Sequence, residues 1–501
     1  MTSLADTRYL SPKLARISRY PRFNLENGMN SFLLNRTLGS ISPQNLERAH
    51  TTQLLQSLQP ASEITFNLEK QDEGSNNVYR PSAIAHKAGV NSLAIDRFEG
   101  RWLLSGGADS SLSIWDLESS TFPSYLPTTA IPRIDSDSTF GFTHLSYYPF
   151  DSLAFLSTSY SHHLRLHSSL TLLPTFSISL ESVAYTHAVS EVASHLLVAV
   201  GTQHQAVRLV DLKSGSAIHS LPGHSGAVLA VGWCPKSTIR GFNGNTGSGT
   251  GEWLLASGSA DGTVRLWDVR RSSAALGMLD MDDSVGLTLG GNSSASQAST
   301  AKEYNRNRDA KAHNGAVNSL TWTADGQYLI TAGHDERIRV WNTSTGANTL
   351  VNFGPTIRNR SLATVHPIFS PQDWIGNGRD LMFWPNEKEI LGFEWKEGRL
   401  VKRLKVPKEI DIAARLGKSA REGAKVDRVT GLAWRAHETD FYSSHADGRI
   451  RGWKPAMNLD EDEDVSSDEE DAEFESEDRK RKREELDELY ENITKRSFLS
   501  I

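Results

Sequence analysis

At 501 residues and a net charge of −7, the chain has room for one large domain or several, and its charge is unevenly placed. Residues 460–478 hold 13 acids and no base, so the other 482 residues carry a net +6 without the basic stripe that strong phosphate-driven nucleic-acid binding needs. The single cysteine, Cys234, excludes an internal disulfide and a cysteine-based metal site; no apolar run is long enough to cross a bilayer and the N-terminus lacks a secretory pattern, so a reducing, intracellular setting is expected.

Residues 1–28 read as a disordered extension, and residues 29–60 as an arm with a short helix. Phe32, Leu33, Leu34 and Leu38 form an apolar group beside Met29. Ser42-Pro43 is a good helix start, with Ser as N-cap and Pro at the first helical position. Leu46, Leu54, Leu55 and Leu58 then follow close to helical spacing, and Pro60 comes after the end. Such a helix has to bury its apolar stripe, either against a partner or against the chain's own domain. Next, Ile64, Phe66 and Leu68 alternate through residues 63–69 as in a strand.

From there a signature recurs. Ser105-Gly-Gly-Ala-Asp109 leads to Ile114-Trp115-Asp116, Ser257-Gly-Ser-Ala-Asp261 to Leu266-Trp267-Asp268, and Thr331-Ala-Gly-His-Asp335 to Val340-Trp341-Asn342. A fourth copy ends at Trp453, and degraded copies place His167, Val210 and Phe393 in the Trp slot. Seven units of a WD-type repeat result, each a four-stranded antiparallel blade of an all-β, seven-bladed propeller over residues 61–458. The strand at 63–69 is expected to complete the last blade and close the ring, since an open edge invites aggregation. The Gly/Ser/Asn-rich residues 272–310 read as a flexible loop inside the ring. His224, Ser259, Asp261 and Trp267 are expected to form a hydrogen-bonded tetrad that locks a blade, with His86 and His313 serving likewise. No catalytic set, cofactor or metal site is expected. Asp109, Asp261, Asp335 and Asp447 read as turn acids, the His162-His163 pair has no third ligand at metal spacing, and the glycine-rich residues 241–251 lack a phosphate-binding lysine.

Residues 459–501 form an acidic, then basic tail. Ser466 and Ser467 precede Asp468-Glu469-Glu470, an acidophilic-kinase context for phosphorylation. The compact run Arg479, Lys480, Arg481, Lys482, Arg483 reads as a nuclear-import signal, or as one half of a charge-balanced helix with the acids that follow. The import reading places the protein in the nucleus.

Beyond the generic repeat, the words Phe98-Glu-Gly-Arg-Trp-Leu-Leu-Ser-Gly-Gly107, Leu197-Val-Ala-Val-Gly-Thr202, Arg265-Leu-Trp-Asp-Val-Arg-Arg271, Ala312-His-Asn-Gly-Ala-Val-Asn318 and Ser466-Ser-Asp-Glu-Glu470 carry a closer likeness. The chain resembles the Cockayne syndrome A family of WD-repeat substrate receptors, in a fungal-type version. The resemblance implies a non-catalytic subunit of a cullin-4 ubiquitin ligase in transcription-coupled nucleotide excision repair. Its implied partners are the ligase adaptor (the large subunit of the damaged-DNA-binding protein), and, as targets, the Cockayne syndrome B protein and stalled RNA polymerase II. The family's Trp-Asp-x-Arg motif maps onto Trp267, Asp268 and Arg270, which together with Phe32, Leu33, Leu34, Leu38, Leu46, Leu54, Leu55 and Leu58 of the arm are the expected adaptor contacts. Arg270 read alone is an ordinary rim arginine. The other reading of the whole chain is a general WD-repeat scaffold for nuclear complexes outside ubiquitin ligases.

Overall fold

Short runs of β-branched and aromatic residues, alternating with period two and broken by Gly, Asp and Ser turns, become the strands of a propeller. A computed structural model describes residues 37–39, 51–68, 84–119, 122–132, 140–191, 195–235, 251–270, 275–283, 310–371, 380–406 and 428–456. Ahead of the ring lie β1 (Leu58–Pro60) and β2 (Thr65–Phe66). Blade one holds β3 (Val90–Ile95), β4 (Trp102–Gly107), β5 (Leu112–Asp116) and β7 (Pro127–Ile131), while β6 (Ser124–Tyr125) pairs in parallel with β2. Blade two holds β8 (Phe142–Tyr147), β9 (Ala154–Ser159), β10 (His163–Ser168) and β11 (Pro174–Ser179); blade three holds β12 (Ala184–Val189), β13 (Leu197–Thr202), β14 (Val207–Asp211) and β15 (Ser216–Leu221). Blade four is β16 (Val228–Trp233), β17 (Leu254–Ser259), β18 (Val264–Asp268) and β19 (Gly277–Met278). Blade five is β20 (Val317–Trp322), β21 (Tyr328–Gly333) and β22 (Arg337–Asn342), extended outward by a single bridge from Trp341 to Asn348. Blade six is β23 (Ile368–Phe369), β24 (Leu381–Pro385), β25 (Glu389–Glu394) and β26 (Arg399–Lys405), and blade seven is β27 (Val429–Trp434), β28 (Phe441–His445) and β29 (Ile450–Pro455), with β1 as its fourth strand.

Neighbouring blades meet through their first strands, which line the central channel. The antiparallel order puts the first-to-second and third-to-fourth turns on one rim, here the lower, and the remaining turns on the upper. Core clusters sit between blades, so middle strands are buried on both faces: β17 and β24 have no exposed residue. Outer strands face water, as in β15, where five of six residues are exposed.

All seven Trp-slot positions read from the sequence, including the degraded His167, Val210 and Phe393, lie on the third strand of a blade. The closing strand differs from expectation. Leu58–Pro60, not residues 63–69, completes blade seven, and the Ala61 N–H donates to the Gly452 carbonyl at 2.9 Å where the chain leaves it. Ile64 and Phe66 are spent differently. Phe66 is a wedge between blades seven and one, stacked on Tyr125 at 5.1 Å and edge-on to Trp115 and Tyr442. A ring that large fills the seam between two blades, a place a one-strand reading does not provide.

Residues 272–310 also depart from a plain loop. Their beginning supplies β19, Leu279 is buried, and the Met281 and Asp283 carbonyls accept hydrogen bonds from the side chain and backbone of Asn348. Residues 284–309 lie outside the described residues, as do 1–36, 236–250 and the whole acidic and basic tail with Ser466, Ser467 and residues 479–483.

Candidate functional site

Four blades carry the same buried relay. In blade four the Trp267 indole N–H donates to Ser257 Oγ at 2.8 Å, Ser257 meets His224 Nε2 at 2.7 Å, His224 Nδ1 meets Thr263 Oγ1 at 2.8 Å, and Thr263 donates to the Asp261 carboxylate at 2.6 Å. Since the Thr263 proton goes to Asp261, His224 must donate from Nδ1 and accept at Nε2, which fixes its tautomer. Blade one repeats the chain through Trp115, Ser105, His86, Ser111 and Asp109. In blade five Trp341 donates to Thr331, which bonds His313, and His313 meets Asp335 directly at 3.0 Å. Blade seven carries the first links of the chain through Trp453, Ser443 and His445.

The bridging hydroxyl in blade four is therefore Ser257 and not Ser259, whose Oγ only accepts the Asp261 N–H in the turn at 3.3 Å. The strand pairing of Leu255 with Trp267 and Ser257 with Arg265 puts Ser257, not Ser259, beside the indole. A signal for this was present in the sequence: a hydroxyl stands ten residues before the slot at Ser105, Ser157, Ser257, Thr331 and Ser443. In blade two His167 fills the Trp slot, stacks on Phe155 with ring centres 4.9 Å apart, and bonds Ser157 at 2.8 Å. Burial pushes His86 and His167 down to about 4 and lowers His224 and His313, so all four are neutral packing groups at pH 7. Burial raises the Asp261 carboxyl, but the nearby His224 ring, 3.7 Å away, and hydrogen bonds from Thr263 and Ser225 outweigh it and hold the acid ionised. Stacking, not chemistry, explains these groups.

On the lower rim Arg270 follows the end of β18. Its guanidinium donates to both oxygens of Asp268 at 3.1 and 3.0 Å and is 43 % exposed, while Trp267 is buried in the relay. Blade one carries an equivalent fork that the motif does not reveal: Arg101, on the turn before β4, donates to both oxygens of Asp116 at 2.8 and 2.7 Å and is 38 % exposed. Among the described residues the same rim also carries Arg399 at the start of β26, which meets both oxygens of Glu394 at 2.8 and 2.7 Å, so paired guanidiniums are presented there from several sequence positions.

The arm is only partly a surface. Residues 51–57 are helical and run straight into β1. Leu54, Leu55 and Leu58 are buried, and Leu55 and Leu58 belong to the core between blades six and seven with Phe383, Ile390, Phe441 and Trp453. Lys402 of β26 donates to the Gln56 carbonyl at 2.8 Å. The expectation that these three leucines face an adaptor is corrected: the helix leads into the closing strand, so its stripe is buried against the ring. Leu38 is 69 % exposed. Phe32, Leu33, Leu34 and Leu46 lie outside the described residues.

The sequence profile of the WD domain, G-beta repeat, matches residues 79–116, 215–268 and 306–342. The chain is 26 % identical over 437 residues to the WD repeat-containing protein ATCSA-1 of Arabidopsis thaliana, an alignment that covers 75 % of this chain and 88 % of that protein. It is 27 % identical over 309 residues to the ribosome biogenesis protein ytm1 of Aspergillus niger, covering 55 % of this chain and 57 % of that protein, and 28 % identical over 284 residues to its namesake from Emericella nidulans, covering 51 % and 53 %. The chain therefore spans just over half the length of the ytm1 proteins it matches. With seven blades, the repeated Trp–Ser/Thr–His relay and these matches together, the chain is a WD-repeat protein.

Proposed function

We propose that this protein is the substrate-recognition subunit of a cullin-4 type ubiquitin ligase acting in transcription-coupled nucleotide excision repair, located in the nucleus. The observation that carries the reading is the extent of the ATCSA-1 alignment, 88 % of that protein, against 57 % for the first ytm1 protein. A shared repeat alone accounts for a partial match; a likeness that runs along most of that protein supports the receptor reading over the scaffold. In this reading the ligase adaptor grips residues 29–50 and the lower rim around Arg270, and the Cockayne syndrome B protein with stalled RNA polymerase II is held by the propeller. The chain contributes no bond-making group. Its contribution is proximity, which raises the effective concentration of target lysines at an attached conjugating enzyme.

The second reading, a WD-repeat scaffold of nuclear complexes outside ubiquitin ligases, draws on the ytm1 matches at similar identity. A capture assay with purified adaptor separates the two. The full chain, a variant lacking residues 29–50, and Arg270→Glu are compared, each checked by thermal melt. The deletion stops at residue 50 because β1 belongs to blade seven and its removal would open the ring. Capture by the full chain that falls in both variants supports the receptor. No capture by the full chain favours the scaffold, and undiminished capture by both variants removes the arm-and-rim mode of docking.

A further inference from the structure

The connection between blades five and six crosses the upper mouth of the central channel, where Thr364 donates to the Leu229 carbonyl on β16 at 3.1 Å. Its backbone is fastened on both sides of Arg360. The Asn318 side chain on β20 donates to Asn359 Oδ1 and to the Ser361 and Ala363 carbonyls, each at 2.9 Å, and Asn359 returns a bond to Asn318 Oδ1 at 2.7 Å. Just upstream, the Arg358 N–H donates at 2.7 Å to Asn386 Oδ1, in the second-to-third turn of blade six.

Arg358 and Arg360 line a recess of about 320 Å³ on the upper rim, and Arg428, just ahead of β27, lines it from blade seven. One carboxylate serves the first two. Glu336 accepts from Arg358 Nη1 and from Arg360 Nε, each at 2.8 Å, and the two arginine side chains stay 45 and 67 % exposed. Glu336 itself is held at φ +56°, a left-handed conformation that a residue with a side chain adopts at a cost. Arg428 is half-buried, and its guanidinium has no ion pair or hydrogen bond among the described residues. Burial pulls its pKa below the ordinary arginine value, and the charges of Glu387 and Tyr160 offset that only in part. A guanidinium taken from water without a counter-charge destabilises the fold unless a group from outside supplies one.

Charge selects the ligand. Three guanidiniums stand against two carboxylates, Glu336 and the Glu387 of the recess wall, so one positive charge is left over. A carboxylate balances it, whereas a phosphoryl group of about −2 overshoots and is repelled by Glu387. An open recess buries too little of a small ligand to hold it, so the carboxylate belongs to a longer chain passing over the rim. We propose that this recess is a docking site for an acidic peptide segment of a protein partner, one of whose Asp or Glu side chains is received by Arg360 and Arg428. The site serves a ligase receptor and a scaffold equally, so it does not rest on the choice between them.

The probe is fluorescein-labelled hexaglutamate, titrated by anisotropy at low salt into the full chain and into a version lacking residues 460–478, whose acids are themselves competitors. Saturable binding at one equivalent is expected in both. Arg360→Gln and Arg428→Gln each weaken it about tenfold or more, as loss of a charge-assisted hydrogen bond requires, while Arg97→Gln on the lower rim removes the same charge without effect. Glu387→Gln tightens it about threefold by removing a like charge. Arg428→Gln melts no lower than the wild type, since that charge has no partner in the fold. A peptide with three phosphoserines, of about the same net charge, binds no tighter. The site is overturned by unchanged binding in both recess variants, by equal weakening in Arg97→Gln, by no binding to either chain, or by a lower melt for Arg428→Gln. Tighter binding of the phosphopeptide overturns the carboxylate, and binding confined to the shortened chain overturns the partner.

Discussion

Leu58→Ala separates a leucine that closes the ring from one that faces a partner. Leu58 is 2 % exposed and sits with Phe441 and Trp453 in the seam between blades six and seven. Truncating a fully buried leucine removes its transfer free energy and leaves a cavity, together about 3–5 kcal/mol, the most where the surroundings cannot collapse. Aromatic neighbours on stacked strands relax little, so the upper part of that range is the better guide. With an unfolding entropy of about 2 cal/mol/K per residue, a ring of roughly 400 residues gains or loses about 0.8 kcal/mol per degree at its midpoint. The expected fall is therefore about 5–6 °C if the ring melts as a unit, with Leu55→Ala similar and Leu38→Ala unchanged. Differential scanning calorimetry of the three variants reads this directly. A Leu58→Ala protein that melts with the wild type but loses adaptor capture would refute the packing argument and return the leucine to the docking face.

The remaining expectations concern the relay, a turn and pH. Ser257→Ala strands the Trp267 N–H and His224 Nε2 together and should cost about 2–3 kcal/mol, against less than about 1 kcal/mol for Ser259→Ala, both measured by urea unfolding; equal costs would restore Ser259 to the relay. Gly262→Ala is expected to destabilise by about 2 kcal/mol or more, because Gly262 has φ +84° and a Cβ there would meet the His313 carbonyl oxygen at 2.5 Å. A melt within about 1 °C of wild type counts against that strain. For pH, His86 and His167 titrate near 4 when folded and near 6.5 when unfolded, so the unfolded chain binds more protons between those values. Their contribution is complete above about pH 6.5 and is lost as pH falls towards 4, and His86→Asn should flatten the decline in melting temperature over that window. A midpoint flat from pH 7 to 5 in the wild type would contradict the burial of these rings.

What the sequence disclosed and what it hid follow from the range of the interactions. The Trp slots were legible because each repeat is a local unit: Trp, turn Asp and the intervening strand lie within about a dozen residues, and spacing alone places them. His167 was readable as a Trp substitute for the same reason. The closing strand was not, because Leu58 falls on the helical stripe and only residues 63–69 show strand alternation, while the real choice depends on a seam built by residues nearly 400 positions later, Trp453 and Tyr442. The channel crossing was invisible for a similar reason. Asn318, Thr364, Arg360 and Arg428 carry no shared pattern, and only the closed ring brings them together. Ser257 marks the limit of residue type read without register: the ten-residue interval to Trp stands in the sequence, and the strand pairing decides that Ser257, not Ser259, lies beside the indole.

The arm and the clasp are one piece of chain, and this couples docking to stability. The helix over residues 51–57 ends in β1, whose pairing with β29 is what joins the two ends of the ring. Opening the ring frees that helix from the propeller that carries the lower rim. A partner that grips the arm and the rim simultaneously therefore binds the closed ring and not the opened one. Linkage then stabilises closure by RT ln(1 + [L]/Kd), about 2.7 kcal/mol at a hundredfold excess over Kd. For a ring of this size that is a rise of roughly 3 °C in midpoint. Adaptor at saturating concentration should raise the melting temperature of the wild type by about this amount and rescue much of the loss in Leu58→Ala, yet leave the variant lacking residues 29–50 little changed. A partner that bound the arm alone would raise none of the midpoints, since an isolated arm is equally available whether the ring is open or closed; that result would place docking and closure on separate pieces of the fold.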